Sequence, residues 1–170
     1  TFKWLSEINA GNYDKHQADI HEFINRSLRV KGNIKDEQTA KQMLNRPIRV
    51  CGMVRNEGAP GGGPFWVKLA NGLTTLQIVE TSQMNLDDPD QKEILENSTH
   101  FNPVDIVCGV KDYQGKKFDL EKYVNPERGI ITEKSAEGKS LKALELPGLW
   151  NGAMEHWNTI FVEVPLQTFS

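Results

Sequence analysis

In residues 17–29, QADIHEFINRSLR, the apolar side chains Ile20, Phe23, Ile24 and Leu28 recur at helical spacing. That period predicts an amphipathic helix. A second helix is predicted over 36–45, DEQTAKQMLN, with Asp36 as its N-cap and Pro47 beyond its end. Then the period changes. IRVCGMV (48–54) is rich in β-branched residues and carries no charge after Arg49, which predicts a strand. PFWVKL (64–69) and TTLQIVET (74–81) are strand-like runs on either side of ANGL. Asn71-Gly72 accepts the positive φ angles of a tight turn, so the two runs should form a hairpin.

Residues 87–96 should be helical, opened by the acidic LDDPD. VDIVCGV (104–110) is apolar throughout and predicts a strand buried on both faces. DYQGKKFDL predicts a second hairpin, NPERGIITEKSAEGKSLK (125–142) a polar surface ribbon, and TIFVEV (159–164) a last strand. Helices come first and mostly strands after, without regular βαβ alternation. The fold class expected is therefore mixed α/β, one sheet with flanking helices.

Composition narrows the choices. The 170 residues, 38% hydrophobic and 25% charged, suit one globular domain. A net charge of −3 and no basic run argue against a nucleic-acid partner, the barrel-like alternative suggested by strands with glycine loops. No apolar run is long enough to span a membrane, so no membrane partner is expected. Cys51 and Cys108 lie in apolar stretches and read as two buried thiols of a cytoplasmic protein. The chain opens without methionine and closes on an apolar run, as an excised piece of a longer protein would.

Candidate chemistry begins at NEGAPGGGPFWV, where Pro60 and Pro64 fence Gly61, Gly62 and Gly63. Adjacent glycines permit close approach of backbone amides to an anion or sugar hydroxyl; a loose hairpin tip is the competing reading. Glu80 ends an apolar strand, where a carboxylate can accept from vicinal sugar hydroxyls or stand solvated. ENSTHFNPVDIV gathers Asn97, His100, Asn102 and Asp105. Such a cluster could grip a ligand, with Asp105 completing a metal shell, or simply serve turn chemistry. In LPGLWNGAMEHWN, Trp150 and Trp157 are seven apart, and Asn151 beside Gly152 is a candidate contact for a polar ligand. No nucleophile triad or paired carboxylates stand out.

RVCGMVRNEGAPGGGPFWV, IVETSQ, STHFNPVDIVCGV, KALELPGLWNGAM and WNTIFVEVP resemble the carboxy-terminal part of a bacterial family, domain of unknown function 4301, common in Bacteroides-type bacteria. The motif order is also similar to sugar-1-phosphate uridylyltransferases, in which a glycine loop meets the sugar ahead of a VVEYSE-like segment and an N…HF segment. The counterparts are Gly61 to Gly63, VETSQ with Glu80, and Asn97, His100 and Phe101. VETSQ departs from that pattern at its last position. The resemblance implies a glycosyltransferase A type fold, nucleotidyl transfer to a sugar phosphate aided by Mg²⁺, and a small-molecule sugar phosphate or nucleotide as partner. It places the nucleotide-binding glycine loop and a PVK-type lysine in the rest of the longer chain. The fragment alone should then be inactive, or the protein a non-catalytic carbohydrate- or nucleotide-binding module.

Overall fold

The computed structural model describes residues 1–58, 61–103, 105–136, 138–149 and 151–168. In chain order the elements are α1 (Phe2–Asn9), α2 (Tyr13–Arg26), α3 (Glu37–Leu44), β1 (Ile48–Arg55), β2 (Gly63–Lys68), β3 (Thr74–Val79) and α4 (Pro89–Glu96). There follow β4 (His100–Phe101), β5 (Ile106–Gly109), β6 (Ile130–Ala136), β7 (Lys139–Glu145) and β8 (Asn158–Glu163). The class is mixed α/β, as the sequence predicts, but among the described residues the strands form three small sheets rather than one.

The first three helices make one core. Leu5 and Ile8 of α1, Ile20 and Ile24 of α2, and Ala40 and Leu44 of α3 are buried together, with Ile48 packed against them. Each pair is spaced by three or four residues, so each helix turns one apolar stripe inward. The α1 helix was not anticipated, although Leu5 and Ile8 carry the period. The α2 helix starts earlier than predicted because Tyr13 extends its buried stripe, and it ends at Arg26. Arg29 takes a left-handed φ of 55° just beyond. Asp36 caps α3, its Oδ1 accepting from the Thr39 amide at 2.7 Å.

β1 is the centre of the largest sheet. β4 and β5 pair antiparallel with it, and β8 pairs parallel over Ile48–Met53. The β4 and β5 registers differ by two residues along the same edge of β1. At that step the Gly52 amide donates to Asp105 O at 2.8 Å, and Asn102 Nδ2 donates to Gly52 O at 2.8 Å. Cys51 and Met53 project into a second core with Ile78, on the face opposite Ile48.

β2 and β3 form the predicted hairpin. Gly72 has a φ of 85°, and Asn71 Oδ1 accepts from the Leu73 amide at 3.0 Å. β6 and β7 form the predicted ribbon. The DYQGKKFDL segment is a bridged loop, with one Lys111–Lys117 bridge and Asp112 Oδ1 accepting two loop amides.

Two expectations are corrected. β5 is an edge strand rather than one buried on both faces, with Val107 73% exposed. Among the described residues it bonds along one side only, to β1; Val104 and Trp150, to which sequence readings also applied, lie outside the described residues, as do Ala59 and Pro60. The cysteines are unalike, Cys51 buried and Cys108 exposed. Burial pushes the Cys51 thiol up to about 11. At pH 8 a chromogenic thiol reagent should therefore modify one cysteine per native chain quickly, at Cys108, and the second only after denaturation. Two fast equivalents would contradict the placement of Cys51.

Candidate functional site

Arg49 shares its face of β1 with Cys51 and Met53, so strand alternation carries a charged side chain inward. It is 2% exposed. Its Nε donates to Thr159 Oγ1 at 2.9 Å and its Nη2 to Gln77 Oε1 at 3.0 Å. Among the described residues no carboxylate pairs with it, and Nη1 has no protein partner. Burial lowers its pKa from the ordinary guanidinium value, the neighbouring thiols opposing weakly.

The β2–β3 register sets Phe65 opposite Gln77, on one face of the hairpin. Gln77 is buried, and its Nε2 donates to Thr75 Oγ1 at 3.1 Å and to Glu155 O at 2.8 Å. Glu155 is buried too. Its Oε2 accepts from Arg128 Nε at 2.6 Å, while Oε1 accepts from Arg128 Nη2 at 3.2 Å and Asn125 Nδ2 at 2.9 Å. This bidentate pairing raises the Arg128 pKa. Arg49, Phe65, Gln77, Met84, Arg128 and Glu155 line a cavity of about 440 Å³. Since Arg128 and Glu155 neutralise one another, Arg49 and Lys68 leave the lining with two positive charges in excess.

The residues singled out in the sequence lie elsewhere. Asn102 N donates to Gly62 O at 2.8 Å, and Gly63 pairs with Val79, next to Glu80. The glycine run, Glu80 and His100–Asn102 thus meet at one end of the hairpin. The contacts supply a packing reason for two of the glycines. A Cβ on Gly61 would stand 3.1 Å from the Phe101 ring, and one on Gly63 2.7 Å from the Phe65 ring.

Glu80 caps the turn at Thr81–Gln83 through a reciprocal capping box with Gln83. His100 Nδ1 lies 2.8 Å from Thr99 Oγ1, and its Nε2, buried without a hydrogen bond, is 3.7 Å from Glu163 Oε2. Asn97 is exposed at the end of α4, bonded to Glu93 O. Asn102 is buried and ties β4 to β1. Asn151 holds the turn beside the cavity, accepting from Gly148 N at 2.7 Å and donating to Arg128 O at 3.2 Å. None of these residues lines the Arg49 cavity.

Asp105 is exposed, and among the described residues no group of three or more His, Cys, Asp or Glu side chains could hold a metal ion. Among the described residues no helix is long and apolar enough to cross a membrane.

Arg49, Gln77, Arg128 and Glu155 were not singled out in the sequence. The signal that could have found the first two is a polar residue in phase with the inward positions of an apolar strand: Arg49 with Cys51, and Gln77 with Thr75. Nothing local marks Glu155 or Arg128, which come together only through the tertiary fold.

These features define a small mixed α/β protein with a walled cavity over a buried arginine. The chain belongs to the family described as Domain of unknown function (DUF4301), whose model matches residues 1–170. No curated protein matches it.

Gly152 fixes the geometry of the cavity rim. Its φ is 106°, and a Cβ there would lie 2.5 Å from Arg128 Cβ and 2.9 Å from Asn125 O. Gly152→Ala should cost more than about 1 kcal/mol, read as a lower midpoint in urea denaturation. An unchanged midpoint would mean the 125–128 turn moves aside freely.

Proposed function

We propose that this chain is the sugar-phosphate-binding part of a nucleotidyltransferase-like protein, its anionic ligand held in the Arg49 cavity. One observation carries the reading: a guanidinium buried without a carboxylate, with an unused Nη1, in the lining of a cavity. Burying an unpaired charge costs several kcal/mol, and a phosphate is the kind of group that offsets it. Phe65 and Trp66 in the lining offer aromatic surface to a sugar or base. In this reading the glycine run, with Glu80, His100 and Asn102, shapes one end of the hairpin whose other residues wall the cavity, while Asn97 stands apart at the end of α4. Mg²⁺, which binds through one or two carboxylates together with substrate phosphates, enters only with the nucleotide.

A second reading, a binding module without chemistry, is favoured by the state of Glu155. Both oxygens of this cavity-lining carboxylate are already taken by Arg128 and Asn125, so it is poorly placed as a base. Pyrophosphate release by the longer protein, supplied with nucleoside triphosphates and hexose 1-phosphates, separates the two. The 170-residue chain alone should bind without turnover.

Isothermal titration with hexose 1-phosphates and inorganic phosphate tests the shared claim. Arg49→Met should weaken sugar-phosphate binding at least tenfold, about 1.4 kcal/mol. It should leave the melting temperature little changed, because replacing an unpaired buried charge with an apolar side chain removes a desolvation cost. Arg49→Lys keeps the charge but loses the planar fork, and should fall between. Binding that is equal in all three proteins, or absent across the panel, would sink the assignment.

A further inference from the structure

Glu155 faces the Arg49 cavity, while its chain neighbour His156 lines a separate cleft of about 550 Å³ at the end of α3. The cleft wall carries Lys41, Arg46, Lys122 and His156. Among the described residues none of its lining is acidic; the rest are amides and the Tyr123 phenol.

The partners of these cations show how much charge is left over. Lys41 Nζ donates to Asn9 Oδ1 at 2.6 Å, so that ammonium is held by a neutral group. Lys122 Nζ lies 3.4 Å from Asp119 Oδ2, an exposed pair of small energetic weight. Arg46 Nε donates to Gln42 O at 2.7 Å, which satisfies a carbonyl in the last turn of α3. Among the described residues no carboxylate pairs with Arg46, and its two terminal amino groups have no partner. A capping role explains one of its five donors. It does not explain why the cations around it converge on an opening free of acids.

Two further details agree on the ligand's chemistry. Asn45 Oδ1 is buried with no hydrogen-bond partner. An acceptor beside a basic cleft suits a ligand that brings both negative charge and a hydroxyl, as a hydrogenphosphate or phosphomonoester does. The surroundings of His156 point the same way. Burial lowers its pKa first and the Arg46 charge second; Glu155 opposes and Arg128 adds to the lowering. The imidazole faces an excess of positive charge that an anion would relieve.

We propose that this cleft is a second anion site, binding a phosphate group through Arg46 with His156 and Lys122 in support. It is separate from the Arg49 cavity and stands whether or not that cavity takes a sugar phosphate. The shared chemistry is a tetrahedral oxyanion, supplied either as free inorganic phosphate or as a phosphomonoester.

The experiment follows the His156 ring resonances by NMR at pH 7 and constant ionic strength. The chain is titrated with inorganic phosphate, with a hexose 6-phosphate, and with chloride as the control. Either phosphate source should shift the ring resonances toward the protonated position, saturating at millimolar concentration or below, and chloride should not. The source that saturates at the lower concentration identifies the form bound. Arg46→Gln should weaken the response at least tenfold, and Lys122→Ala, at an exposed position that tolerates change, about threefold. Arg49→Met should leave it intact, so failure here and failure at the other cavity are read separately. If Arg46→Gln does not fold, Lys122→Ala decides. A His156 signal indifferent to both phosphates, or a response unchanged in Lys122→Ala and Arg46→Gln, would overturn the proposal.

Discussion

The guanidinium of Arg49 joins three strands that the chain delivers separately, its own β1, β3 through Gln77, and β8 through Thr159. Taking this charge out of water costs several kcal/mol. Hydrogen bonds to a charged donor return about 1.5–3 kcal/mol each, so two of them offset only part of the burial. The arrangement is therefore tolerated more than it is stabilising. What it fixes is position. Gln77 passes the connection on to the Glu155 carbonyl, so the rim of the cavity and the central sheet are held by one continuous polar chain.

That chain also explains why the two sides of the 152–156 segment differ in character. Glu155 is neutralised by Arg128 on one side, while His156 stands beside Arg46 on the other. Consecutive residues thus sit in different fields, set by which arginine each one meets. The net charge of −3 for the whole chain hides this completely. Two arginines only three positions apart lie in separate clefts because α3 has ended at Leu44 and Pro47 leads directly into β1, which carries Arg49 away.

Much of the scaffold could be read from the sequence. Ile20 and Ile24 announce α2, Asp36 the start of α3, and Asn71-Gly72 the β2–β3 hairpin, since each signal acts over a few residues. β5 misled because apolarity tells of burial only when something covers the strand, and the coverage of Val107 is settled by distant parts of the chain. The candidate site was the least legible. The glycine triplet draws attention by composition, yet Gly61 and Gly63 are explained by the rings of Phe101 and Phe65. Arg49 drew none, because its meaning depends on Thr159 and Gln77, which are near it only in the folded protein.

The parallel pairing of β1 with β8 has a temporal consequence. The Arg49–Thr159 bond closes a loop of 110 residues. Such a closure costs about 4 kcal/mol in chain entropy before any contact compensates it. Pairings this remote form late, after the local helices and hairpins. During synthesis, one edge of β1 therefore stays open, with its ladder groups unpaired, until Asn158–Glu163 have emerged. In that interval a charged side chain stands on the face still to be enclosed. Arg49 keeps the unfinished strand wet and discourages an apolar stranger from docking there first.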